Sequence, residues 1–301
     1  TLIVVFVTLI CCAVWYNADK FVLETREPVL QTALLEERIP MGEARENITY
    51  CDNQKLDFYA PIKTTTEKSP LIIYIHGGGW RMNNKDSDEN MRALFDGLRD
   101  KGYALASIDY SLTPQYQYPK PQQDVLCAVR FLRANTERFA IDGNKIVVTG
   151  FSAGANLAAL IATNNNNTLY DNGLYSNTNQ NVQAFVGIGG VYDFTNTLRP
   201  NSIGNIRNLM QNAKPSEGSP TSYVYDKSAP ALLIHGDKDS IVYAAQSENY
   251  GTLLVKNNVT GNVVIVKNAE HDLSNTGGDA APNKDEIISQ ITNFINQQLG
   301  L

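Results

Sequence analysis

The run Ile146-Val147-Val148-Thr149 leads directly into Gly150-Phe151-Ser152-Ala153-Gly154, and that pentapeptide leads into Ala155-Asn156-Leu157-Ala158-Ala159-Leu160. A β-branched apolar run, then small residues, then a helix-forming run reads as strand, sharp turn, helix. Small residues on both sides of Ser152 let the backbone pass a crowded corner and leave the hydroxyl at the tip of the strand. A serine hydroxyl is a weak nucleophile at neutral pH, so chemistry at Ser152 requires a neighbouring base and donors for the oxyanion it creates. The bare pentapeptide also occurs in glycine-rich turns; its meaning comes from the strand before it and the helix after it.

The same alternation extends along the chain. Strand-like runs lie at 56–59, 71–75, 103–108, 146–149, 184–188, 231–234 and 263–266, with helical patterns at 91–101, 121–135, 153–163, 244–256 and 285–299. This order predicts βαβ units, hence an α/β fold with a mostly parallel central sheet and helices on both faces. A chain of 301 residues is long enough for one large domain of this kind. Two stretches interrupt the pattern. Residues 164–181, rich in Asn, Gly and Tyr, read as a solvated loop, and 192–227, with Pro200, Pro215 and Pro220, read equally as a small cap insertion or as a helix with irregular loops.

Residues 1–16 (TLIVVFVTLICCAVWY) are almost continuously apolar and carry no charge. Sixteen residues are short for a spanning helix, which needs about 20, and fit the apolar region of a secretory signal better. The expectation is a signal segment or membrane anchor, which makes the protein secreted or periplasmic, or membrane-attached through its N-terminus; a buried helix is the third reading. Residues 17–46 are charged and helix-compatible and read as a linker or helical segment, and 47–301 as the folded domain. The net charge of −6, without a Lys/Arg-dense stretch, argues against a nucleic-acid partner. Beyond the apolar segment the cysteines are Cys51 and Cys127; spacing does not reveal a pairing, and two separate buried thiols are the plain expectation.

Three histidines are present, so a base for Ser152 is found nearly by elimination. His76 and His235 end strand-like runs, whereas His271 lies in the loop after the last one, where its ring can swing over the serine. On a sheet of this kind the partners follow in the order serine, acid, histidine. The acid therefore belongs to a strand tip between Ser152 and His271, and Asp237 and Asp239 both qualify, with Asp193 a third candidate and Asp272 a loop-capping residue. Ile75-His76-Gly77-Gly78-Gly79-Trp80 is a side-chain-poor turn at a strand end, suited to offering backbone N–H donors, and the N–H of Ala153 adds another. Trp80 and Tyr192 are equally core fillers or pocket walls.

With His76-Gly77-Gly78-Gly79-Trp80, Gly150-Phe151-Ser152-Ala153-Gly154 and a downstream Asp and His in that order, the chain resembles the α/β-hydrolase fold, and within it the hormone-sensitive-lipase and feruloyl/acetyl-esterase-like carboxylesterases. The similarity extends to Lys55-Leu56-Asp57-Phe58-Tyr59-Ala60-Pro61 and to Tyr118-Pro119 leading to Asp124. The resemblance implies hydrolysis of a small-molecule carboxylic ester by a Ser152, Asp239, His271 triad, with Gly78, Gly79 and Ala153 as oxyanion donors and neither metal nor organic cofactor. It favours Asp239 because the family's acid usually stands in Asp-x-x-Val, matched by Asp239-Ser240-Ile241-Val242. It assigns His76 to supporting the glycine turn. Tyr110-Ser111-Leu112 stands where the family often has Tyr-Arg-Leu, and Phe151 and Ala155 also depart from many relatives, which leaves the subgroup and its substrate open. An arylformamidase-like amide hydrolase and a non-catalytic binding protein on the same scaffold are the alternatives.

Overall fold

In a computed structural model, residues 38–64, 66–163, 168–196 and 198–301 are described. The apolar segment 1–16 and most of the linker 17–46 lie outside them. Eight strands, β1 (Ala44–Thr49), β2 (Lys55–Tyr59), β3 (Ser69–Ile75), β4 (Ala104–Ile108), β5 (Ile141–Phe151), β6 (Ala184–Ile188), β7 (Ala231–Gly236) and β8 (Gly261–Val266), form one sheet in the order β1-β2-β4-β3-β5-β6-β7-β8. β1 and β2 pair antiparallel, as do β2 and β4; every pair from β4 to β8 is parallel. The helices among the described residues are α1 (Glu89–Asp96), α2 (Lys120–Ala134), α3 (Thr136–Phe139), α4 (Ala153–Thr163), α5 (Pro200–Met210), α6 (Ala245–Lys256) and α7 (Lys284–Leu299). This is the α/β-hydrolase fold.

The central strands are apolar on both faces because both are covered. Along β3, Leu71, Ile73 and Ile75 enter one core with residues of α2, α4 and α6, while Ile72 and Tyr74 enter a second core with α1 and α7. The two-residue period of a strand divides a continuous apolar run between two cores in this way. The same division runs along β5, with Ile146 and Val148 on one side and Val147 and Phe151 on the other.

Two expectations are corrected. The segment 17–46 does not end as a linker: β1 begins at Ala44, where a register irregularity between Arg45 and Ile48 and the polar sequence Ala-Arg-Glu-Asn-Ile-Thr hide the alternation of an exposed edge strand. Cys51 and Cys127 are not separate thiols but a disulfide that ties the turn between β1 and β2 to the middle of α2. Their separation of 76 residues carries no local signal of the approach; only the packing of α2 behind the sheet brings them together.

Candidate active site

β5 ends at Phe151 and α4 starts at Ala153, so Ser152 alone makes the corner, with φ of 52°. A left-handed φ is unfavourable for a residue with a Cβ and persists only where its surroundings hold it. Here the Ser152 N–H donates to the Ile188 carbonyl at 2.8 Å, and its own carbonyl accepts from Ala155 and Asn156. The corner also demands a glycine: a Cβ on Gly154 would stand 2.1 Å from the Ile75 carbonyl oxygen. The strand carrying the glycine turn thus presses directly against the start of the serine helix.

That glycine turn follows β3. Gly78 has φ of 107°, and a Cβ there would meet the Met82 carbonyl oxygen at 2.2 Å, so no other residue fits. The preceding peptide is held from several sides. The Gly77 N–H donates to Asp88 Oδ2 at 2.7 Å, His76 Nδ1 lies 2.7 Å from the Gly77 carbonyl oxygen, and the Tyr110 hydroxyl donates to the carbonyls of both His76 and Gly77. The His76 ring is buried and stacks on Tyr110 with centroids 4.3 Å apart. Burial pulls the His76 pKa down to about 4, so at neutral pH the ring is uncharged and its Nδ1–H supports the turn.

This burial makes stability depend on acid. The unfolded chain takes up the His76 proton near pH 6.5 and the folded chain only near 4. The contribution is therefore complete above pH 6.5 and is lost progressively down to 4. Between pH 7 and 5 it amounts to about 2 kcal/mol. His76→Asn keeps a donor for the Gly77 carbonyl without a titrating ring, and is expected to lose correspondingly less stability over that interval. Urea midpoints at the two pH values check this, and an equal loss in both proteins would remove His76 as the cause.

The candidate base and acid meet across two loops. His271, in the loop after β8, places Nδ1 2.6 Å from Asp239 Oδ2, and its ring rests 4.8 Å from the Phe151 ring by centroids. Asp239 is buried, with Oδ1 accepting from the backbone N–H groups of Ile241 at 2.8 Å and Val242 at 2.7 Å. Burial alone would raise its carboxyl pKa, but hydrogen bonds from His235 and His271, the charge of His271 and the Val242 N–H outweigh it and hold the group far below the usual carboxylate range. Asp237 points elsewhere, toward Lys238 at 3.5 Å. Asp193 accepts from Thr195, and Asp272 caps its loop by accepting from Ser274.

Ser152, His271, Gly78, Gly79 and Ala153 line one cavity of about 190 Å³. A larger hollow of about 510 Å³ is bordered by Met91, Asp272 and Ile287, and Ser152 is not among the residues lining it. Trp80 also borders the cavity that Ser152 and His271 line, although most of its ring is buried against Phe194. Tyr192 does not: it is wholly buried and stacks on Tyr250 with centroids 4.6 Å apart, so its expected place in the wall is corrected to the core.

A family model described as BD-FAE matches residues 56–254. The chain belongs to the BD-FAE family. Among curated relatives, it is 29% identical over 218 residues to esterase LipC of Mycobacterium tuberculosis, covering 68% of this chain and 54% of the relative. It is 30% identical over 227 residues to esterase LipQ of the same organism, covering 72% and 52%. The chain thus spans about half the length of these relatives. A solved truncated form of a carbohydrate esterase from gut microbiota superposes with a TM-score of 0.75 at 23% identity, over 87% of this chain and 98% of that one.

The BD-FAE match contains Ser152 and Asp239 and stops before His271, which the fold brings back onto Asp239. Other residues of this BD-FAE chain that the sequence does not single out also border the cavity, among them Asn83, Asp88, Ser202 and Asn205. Asp88 and Asn83 follow the glycine turn, and Asn205 comes from α5. Segment 192–227 therefore supplies a wall of the site: Arg199 donates to the Asp239 carbonyl at 2.7 Å, and Ser202 donates to the Ile241 carbonyl at 3.1 Å. Isolated Asn and Asp residues in loops carry no sequence pattern, and only their shared cavity groups them.

Proposed function

We propose that the protein is a serine carboxylesterase acting on small esters through an acyl-enzyme. The observation that carries this reading is His271 Nδ1 held at 2.6 Å by a buried Asp239, facing the cavity that Ser152 enters from a strained corner. His271 donates from Nδ1 to Asp239, so in the neutral ring Nε2 is the free base that takes the Ser152 proton as Oγ attacks the ester carbonyl. The new C–O bond leaves the carbonyl oxygen negative, and the backbone amides of Gly78, Gly79 and Ala153 stabilise it. Collapse expels the alcohol, which takes the proton from His271. Water then attacks the acyl-enzyme by the same route, releasing the acid and restoring Ser152.

The reading is tested with p-nitrophenyl acetate and a fluorophosphonate ester. Multiple-turnover hydrolysis is expected, together with stoichiometric phosphonylation found by peptide mass at Ser152. A folded protein that neither hydrolyses the ester nor takes up the label is not this enzyme. Formanilide, turned over in parallel, decides against the amide-hydrolase alternative if the acetyl ester is the better substrate by kcat/KM.

A further inference from the structure

The mechanism above leaves His235 unused, although it touches the catalytic acid. His235 lies near the end of β7 and has no exposed surface. Its Nε2 stands 2.9 Å from Asp239 Oδ2 and 3.2 Å from the Val242 carbonyl oxygen, and its Nδ1 stands 2.8 Å from the Ser247 hydroxyl on α6. Both neighbours of Nε2 are acceptors, so Nε2 carries the proton and Nδ1 of the neutral ring accepts from Ser247. One carboxylate oxygen thus receives N–H groups from two imidazoles, His271 and His235, while the other receives two backbone amides.

We propose that His235 is a positioning residue for the esterase reaction: with Ser247 fixing its tautomer, it shares Oδ2 of Asp239 with His271 and so sets how firmly the acid holds the catalytic ring. The proposal rests on Ser152, Asp239 and His271 acting as the triad. Two consequences follow from the loss of this donor. The carboxylate loses one of its restraints, so His271 is held less accurately and turnover falls. Its charge, no longer divided between two imidazoles, also stabilises a protonated His271 more strongly, so more acid-side activity is lost and the acidic limb of kcat/KM moves to higher pH.

The other charged and titratable groups facing the cluster stay the same in every variant compared. They are Arg199 on the Asp239 carbonyl, Asp237 and Lys238 earlier in the same turn, Glu270 accepting from Ser240, the Asp88 and Asp272 carboxylates whose charges act on His271, and the buried phenol of Tyr192 beside Ser247. A difference between variants in the position of the limb therefore reads His235.

The experiment is the pH profile of p-nitrophenyl acetate hydrolysis by the wild type, His235→Leu, His235→Gln and Ser247→Ala. His235→Leu is expected to lose about 10- to 100-fold in kcat/KM, with its acidic limb raised by about half a pH unit or more. His235→Gln, whose amide N–H reaches the place of Nε2, is expected to recover most of the activity and return the limb toward the wild-type position. Wild-type behaviour of His235→Leu overturns the proposal, as does a loss without a limb shift that Gln does not recover. If His235→Leu does not fold, Ser247→Ala decides: it removes one hydroxyl and is expected to raise the limb in the same direction with a smaller loss, and an unmoved limb overturns the proposal. A wild-type protein without esterase activity would instead sink the triad reading itself, which separates the two failures.

Discussion

Ser152→Ala is expected to leave about one part in 10⁵ or less of the wild-type kcat on a short-chain aryl ester, because every later step passes through the acyl bond that its Oγ forms. The folded protein should survive this change, since the corner is held by backbone hydrogen bonds of residue 152 rather than by its hydroxyl. Ser152→Gly separates function from strain at the same position. Glycine adopts the φ of 52° without penalty, so this variant should be as inactive as Ser152→Ala and more stable than it by about 1 kcal/mol. Steady-state kinetics with a contamination control, and urea midpoints of the two variants, measure both. Retention of more than about a hundredth of wild-type kcat by either would remove Ser152 as nucleophile.

Asp239→Asn is expected to lower kcat by about 10⁴ while leaving the fold in place. The carboxylate accepts on both sides, from Ile241 and Val242 at Oδ1 and from two imidazoles at Oδ2. An amide has a single oxygen. If that oxygen stays on the backbone amides, its NH₂ faces His271 Nδ1 and forces the proton to Nε2, the atom that must be free to take the Ser152 proton. Asp237→Asn is the matching control: its carboxylate pairs with Lys238 and does not reach His271, so activity within about two-fold of wild type is expected. A large loss from Asp237→Asn with little from Asp239→Asn would reverse the assignment.

The choice between these two aspartates illustrates how far the sequence reaches. Both stand in Gly236-Asp237-Lys238-Asp239 after an apolar run, and strand-end geometry alone does not separate them; resemblance to a family pattern favoured Asp239. The structure supplies the physical reason, since the turn after Gly236 delivers the Ile241 and Val242 amides to one carboxylate oxygen and His235 and His271 to the other. The order serine, acid, histidine singles out His271 and gives His235 no role, because the contact of His235 with Asp239 is a product of that same turn. For Tyr192 the sequence leaves pocket wall and core filler equally open, and the structure decides for the core, with the ring turned inward onto Tyr250.

By itself the sequence determined the strand, turn and helix around Ser152, the glycine turn after β3, and the parallel α/β architecture, because each rests on interactions within a dozen or so residues: apolar periodicity, and glycines where a Cβ has no room. Only the tertiary structure decided the partners. The Cys51–Cys127 disulfide, the edge strand β1, the wall provided by α5, and the two imidazoles on one oxygen of Asp239 all join residues from separate segments. Which of these meet depends on how helices pack against a twisted sheet, and local sequence carries no energy that distinguishes one meeting from another.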